Sequence, residues 1–304
     1  MSSQPGRNKT NSWLPAYLAL GFVWGCSFIF IKLGLEFLTP FGVAFGRCAL
    51  GAITLLIVVK IKKIKLPSDK QIWFKLWVVA MLLNVIPGIL FAYAEVHVTS
   101  VLAGIINAAT PLATLVVMLI AFREEKLKVE QIQGLIVGGI GVLVVLGIWQ
   151  GIGDNQLNGV IALLIAVTCY GISFPYSKRN IIPLGLKPES AAATQLVTAS
   201  ITLLPLYLFD GISNDYYRVN NVLAMVALGV LGSGFAYIWN FSIIQAAGSS
   251  IASTVTYLTP VVAVFVGWLF LGEKIAWHEP AGALLVILGA AISQGRFKRK
   301  VQLS

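Results

Sequence analysis

Charge is what this sequence has least of: 11% of its 304 residues are Asp, Glu, Lys or Arg, against about a quarter in an ordinary soluble domain. With 58% of the chain hydrophobic, that deficit excludes a water-soluble globule. Cysteine is scarce too. Cys26, Cys48 and Cys169 all fall inside apolar stretches, so neither a disulfide framework nor a CxxC metal site is expected, and they read as small packing residues. The two histidines, His97 and His278, stand in different halves of the chain, with no H-E-x-x-H or G-x-S-x-G pattern. No catalytic residue, no metal ligand and no cofactor is therefore expected, and the chain does not read as an enzyme. Midplane carboxylates are also lacking: Glu95 and Asp210 sit at the ends of apolar runs and read as solvated loop residues, which leaves the coupling ion open.

What is present is apolar sequence in regular lengths. Runs near 14–34, 41–59, 73–94, 98–121, 131–149, 157–177, 190–209, 220–244, 250–271 and 278–295 have the length that about 30 Å of hydrocarbon requires. They predict an all-α membrane protein of ten transmembrane helices whose first partner is the lipid bilayer. The connections are short, so whatever the protein does happens within the membrane or at its faces. Trp13, Trp73, Trp149 and Trp277 fall at run ends, as interfacial anchors do.

The excess of basic residues needs a topological explanation, since no nucleic-acid-binding pattern accompanies it and no nucleic-acid partner is expected. Arg7 and Lys9 precede the first run. Lys60, Lys62, Lys63, Lys65, Lys70 and Lys75 follow the second, Arg123, Lys126 and Lys128 the fourth, Lys178, Arg179 and Lys187 the sixth, and Arg296, Lys298, Arg299 and Lys300 the last. In a ten-helix topology all of these lie on one side, which the positive-inside rule makes the cytoplasm of a plasma (inner) membrane, with both termini there. Only Arg218 and Lys274 fall on the other side. The first run is too long for a signal peptide and lacks an A-x-A site, so it is expected to remain as a helix.

Comparison of the chain with itself at an offset of about 148 residues brings two halves into register. Trp24-Gly25-Cys26-Ser27-Phe28 matches Tyr170-Gly171-Ile172-Ser173-Phe174, Thr110-Pro111 matches Thr259-Pro260, Glu125-Lys126 matches Glu273-Lys274, and Gly134 matches Gly282. The expected organisation is a tail over 1–13, a five-helix unit over 14–149, a second over 157–295, and a basic tail over 296–304. With an odd number of spans per unit, the second is inverted relative to the first, an arrangement that permits alternating access around a midplane site.

These duplicated motifs resemble the drug/metabolite transporter superfamily, and within it the EamA-type exporters. The similar features are an aromatic-Gly-x-Ser-Phe motif in the first helix of each repeat, a Thr-Pro in the fourth, and a Glu-Lys turn before the fifth, over residues 14 to 295. The resemblance implies a secondary transporter exporting a small metabolite, and a central cavity formed by the first, third, fourth, sixth, eighth and ninth helices.

The residues themselves nominate a substrate-binding set. Prolines inside spans free a backbone carbonyl that a polar cavity can satisfy. Pro111 and Pro260 thus direct attention to Asn107, Thr110, Thr256 and the following Tyr257. Asn84 with Pro87 and Gly88 breaks the third span, and Pro87, Gly88, Pro111 and Pro260 are candidate hinges. Trp24, Ser27, Tyr93, Tyr170, Tyr176, Tyr237 and Trp239 are the candidates for a wall whose polar tips need partners. Arg47, an ionisable group within a span, is placed to bind a substrate carboxylate or to pair with Glu36 or Glu95. Such a pocket suits an amphipathic small-molecule substrate, an aromatic or hydrophobic amino acid in first place. Multidrug efflux and exchange of phosphorylated metabolites or nucleotide sugars are the alternatives. Gly42-x-x-x-Gly46 and Gly134-x-x-x-Gly138 are close-packing motifs that also raise a homodimer as an expectation.

Overall fold

The protein is described by a computed structural model over residues 13–121, 128–145, 149, 157–213, 218–271 and 276–293. The segments are helical, and the only extended pairing among the described residues is an isolated antiparallel bridge between Leu38 and Ile212. They are α1 (Leu14–Gly34), α2 (Pro40–Ile61), α3 (Lys70–His97), α4 (Ser100–Ala121), α5 (Val129–Val145), α6 (Leu157–Asn180), α7 (Pro188–Asp210) and α8 (Val219–Ala247). α9 runs from Ser249–Ser253 through a 3-10 turn, Thr254–Tyr257, into Leu258–Leu271, and α10 is His278–Ser293. Over the described residues eight of them, all but α5 and α10, are long and apolar enough to cross a membrane. The protein is therefore a multi-pass membrane protein. Over their described residues α5 and α10 coincide with the fifth and tenth spans that the sequence predicts.

Helix starts follow the local sequence. Thr39 and Thr99 cap α2 and α4, their hydroxyls accepting from Gly42 N (3.2 Å) and Leu102 N (3.2 Å), and Asp69 caps α3 by accepting from Gln71 N (2.8 Å). Gly248 makes the abrupt junction of α8 and α9 at φ 89°, a conformation costly for any residue with a Cβ.

Each half repeats the irregularities of the other. α3 carries a π turn at Met81–Val85, and α8 carries one at Val230–Phe235. α4 is broken between Asn107 and Thr110, and α9 at its 3-10 turn. The packing exchanges the halves in the same way: α2 lies along α7 and α5 along α10, α1 meets α8 and α9, and α6 meets α3 and α4. Glycines allow the closest of these approaches. A Cβ on Gly25 would run into Val262 of α9, and one on Gly171 would lie 2.7 Å from the Ala113 Cβ of α4.

Both small-residue motifs are occupied within the chain. The Gly211 carbonyl abuts Gly42, and the Met225 methyl would lie 3.0 Å from a Cβ on Gly46, while Gly134 faces the backbone of α10 at Gly289 and Ser293 and Gly138 faces the Tyr257 ring of α9. They thus serve helix packing inside one molecule.

Candidate functional site

A cavity opens where the halves meet, with about 470 Å³ of empty space, counting that open to solvent. α1 gives it one face: Trp24, Ser27, Phe28 and Ile31 recur at the helical i, i+3, i+4, i+7 spacing. Opposite stand Tyr170 and Phe174 of α6, one turn apart, and Tyr237 of α8. Arg47 of α2, Leu83 and Phe91 of α3, Asn107 of α4 and Thr256 of α9 complete the lining. Six of these side chains are aromatic. Phe91 stacks on Tyr170 with centroids 5.6 Å apart and tilts against Phe28 at 5.9 Å, while Trp24 meets Tyr237 edge-on at 6.1 Å.

The polar tips are held by backbone that the sequence frees. Pro87 has no N–H to offer the Leu83 carbonyl, and the Tyr237 hydroxyl donates to that carbonyl at 3.2 Å. In the same way Thr110 donates to Asn107 O (2.7 Å) and Thr259 to Thr256 O (2.7 Å), the carbonyls left open by Pro111 and Pro260. The Thr-Pro motif thus supplies its own partner, one residue ahead of the proline. The Trp24 indole donates to Gly232 O in the π turn of α8 (3.2 Å), and Arg47 Nε donates to Ser233 Oγ in the same turn (3.2 Å). Asn107 Nδ2 donates to Thr259 Oγ1 (3.3 Å), and its Oδ1 is buried without a hydrogen-bond partner.

Of the residues that the sequence nominates, Trp24, Ser27, Arg47, Asn107, Tyr170, Tyr237 and Thr256 come together around this space. The others do not. Asn84 is buried and accepts from Gln195 of α7. Tyr93 is 38% exposed and packs edge-on against His97. Thr110 is closed into α4 by its bond to Asn107 O. Tyr176 packs on the core between α2 and α7, and Trp239 packs beside Phe235. Tyr257 is wholly buried, its hydroxyl donating to Leu135 O of α5 (3.1 Å) over Gly138. Phe28, Ile31, Leu83, Phe91 and Phe174 line the cavity without having been singled out from the sequence. The periodicity Trp24-Ser27-Phe28-Ile31 was the available signal.

Glu95 departs from its reading as a solvated loop residue: it is fully buried, and neither carboxyl oxygen has a hydrogen-bond partner. The reason is that α3 runs on to His97, so Glu95 stays within a helix whose Ala94 and His97 pack against Gly159 of α6. Lys32, exposed at the end of α1, donates its ammonium to the Glu95 backbone carbonyl at 2.6 Å. Glu36, the other partner considered for Arg47, instead accepts from Asn221 Nδ2 (2.9 Å).

Comparison with known proteins agrees with this architecture. A solved crystal structure with 17% sequence identity superposes with a TM-score of 0.73, covering 95% of this chain and 99% of its own, and so shares the fold. The "uncharacterized transporter YoaV" of Bacillus subtilis strain 168 is 24% identical over 93% of this chain and 97% of its own length. Protein PagO of Salmonella typhimurium strain LT2 is 24% identical over 90% of each chain. The "uncharacterized inner membrane transporter YedA" of Escherichia coli K12 is 26% identical over 86% of this chain and 85% of its own. The EamA-like transporter family model matches twice, over residues 11–147 and 157–294, and with nearly the whole chain accounted for by those two matches, the chain belongs to the EamA-like transporter family.

Proposed function

We propose that this transporter exports a small amphipathic metabolite, an aromatic or hydrophobic amino acid, from the cytoplasm across an inner membrane by alternating access. The observation that carries the reading is the aromatic cavity at the junction of the two repeats, between helices broken at matching places. In this proposal α5 and α10 also cross the bilayer, giving ten spans in two inverted units, and the basic loops hold both termini in the cytoplasm. Exchange of the packing partners of α1 and α6 would then turn an outward-open arrangement into an inward-open one.

Both alternatives meet a difficulty in the lining. A phosphorylated metabolite carries two negative charges and calls for several cations, whereas Arg47 is the one charged side chain among the described residues around the cavity. A lipophilic cation would find aromatic faces but no carboxylate among the described lining, and the guanidinium would repel it.

The test is counterflow of radiolabelled amino acids into proteoliposomes, with Trp24→Ala alongside. Saturable exchange of aromatic or branched-chain amino acids, reduced several-fold by Trp24→Ala, supports the proposal. Absence of exchange for every amino acid, in sealed and loaded vesicles, sinks it.

A further inference from the structure

The cavity is one-sided in charge. Arg47 is 7% exposed and commits one donor, Nε, to Ser233. Its terminal nitrogens make no hydrogen bond and no ion pair with any described residue. Arg47 lines the cavity, and its terminal nitrogens are not among the side-chain atoms buried without a partner, so they keep accessible surface. Glu95, fully buried, lies outside the lining and forms no ion pair with Arg47. Glu36 is engaged by Asn221.

A guanidinium held within a membrane span without a counterion is costly, and an anion entering the cavity offsets that cost. Two free N–H groups in a planar fork match a carboxylate, which they grip in two parallel hydrogen bonds. For a substrate ammonium the described lining offers neutral acceptors, the unpartnered Asn107 Oδ1 among them, and no carboxylate. The apolar body of a ligand meets the rings of Trp24, Phe28, Phe91 and Tyr170.

Resting on the transporter reading of this cavity, we infer that Arg47 makes the carboxylate the required feature of the substrate and leaves the amino group dispensable. The substrate class is then the aromatic or branched monocarboxylate, amino acids among them. Amines of the same shape are refused.

Three ligands of one shape test this: L-phenylalanine, 3-phenylpropionate, which lacks the amino group, and 2-phenylethylamine, which lacks the carboxylate. Each is titrated calorimetrically into the purified protein and into Arg47→Gln and Arg47→Lys, and each is offered as a competitor of phenylalanine counterflow. The expected result is binding of both carboxylates and not of the amine, weakened roughly ten- to a hundredfold by Arg47→Gln and less by Arg47→Lys. Binding of the amine as tight as that of the carboxylates, or no binding of phenylpropionate, overturns the inference. So do carboxylate affinities that Arg47→Gln leaves unchanged. If Arg47→Gln does not yield a monodisperse protein, the ranking of the three ligands on the unaltered protein decides alone. Arg47-dependent phenylpropionate binding without phenylalanine counterflow would leave this inference standing and overturn the amino-acid export reading instead. Phenylalanine counterflow that phenylpropionate does not compete would do the reverse.

Discussion

At the scale of single residues, what the sequence could show depended on whether a side chain has a polar end. Trp24, Tyr170, Tyr237, Asn107 and Arg47 stand out in an apolar run because each needs a partner there, and all five face the cavity. Phe28, Phe91 and Phe174 have no such end and look in sequence like the lipid-facing Phe22 or Phe74, which are 56% and 62% exposed. Tyr93 has the polar end but lies two positions from Phe91, roughly 200° around the helix, and so points away. The Thr-Pro pairs give a residue-scale prediction. Thr110→Val and Thr259→Val each remove the hydroxyl that satisfies a carbonyl freed by proline. Thr110→Val is expected to lose about 1 kcal/mol of stability and Thr259→Val more, because it also strands the Asn107 amide, while Thr→Ser is expected to retain it. Thermal unfolding in detergent measures this, and equal stability of Val and Ser variants would refute it. The buried Asn84–Gln195 pair gives another. Removing either amide strands the other, so Asn84→Ala and Gln195→Ala are expected to cost roughly 0.6–1.7 kcal/mol each and the double substitution less than their sum.

At the scale of helices, length and position were legible because a hydrocarbon slab imposes both, and the α1, α2, α4 and α7 bounds fall within a few residues of the apolar runs. The π turns were not legible. Pro87 and the glycines of α8 mark where α3 and α8 are weak, but the form of the defect is set by distant partners, the Tyr237 hydroxyl on Leu83 O and the Trp24 and Arg47 donors on Gly232 and Ser233. Helix approaches, in contrast, are written in glycine. Gly25 and Gly171 occupy equivalent places at the α1–α9 and α6–α4 contacts, so Gly25→Val and Gly171→Val are expected to destabilise by similar amounts, on the order of 1–3 kcal/mol. Thermal unfolding of the two variants side by side checks the equivalence. A large loss in one and none in the other would show that the halves carry unequal loads.

At the scale of the molecule, the duplication seen in sequence becomes a packing rule: α1 packs on α9 as α6 packs on α4, and in the alternating-access proposal such contacts are the closures of the cavity. One such closure lies near the N-terminal end of α1. There Tyr17, 2% exposed, shares a hydrogen bond of 2.9 Å with Thr254 at the 3-10 turn of α9, beneath a plug of Leu20, Phe174, Ile243 and Val255. A substrate entering from the side of the basic loops has to part α1 from α9 at this point if access alternates. Replacing both residues, Tyr17→Cys and Thr254→Cys, in a background where Cys26, Cys48 and Cys169 are serine, allows the two helices to be tied by a short reducible cross-linker. The tied protein is expected to lose counterflow and to recover it on reduction, whereas each single variant stays active after the same treatment. Undiminished counterflow in the cross-linked double variant would mean that this end stays shut throughout the cycle, and alternation between the repeats would have to be abandoned as the mechanism.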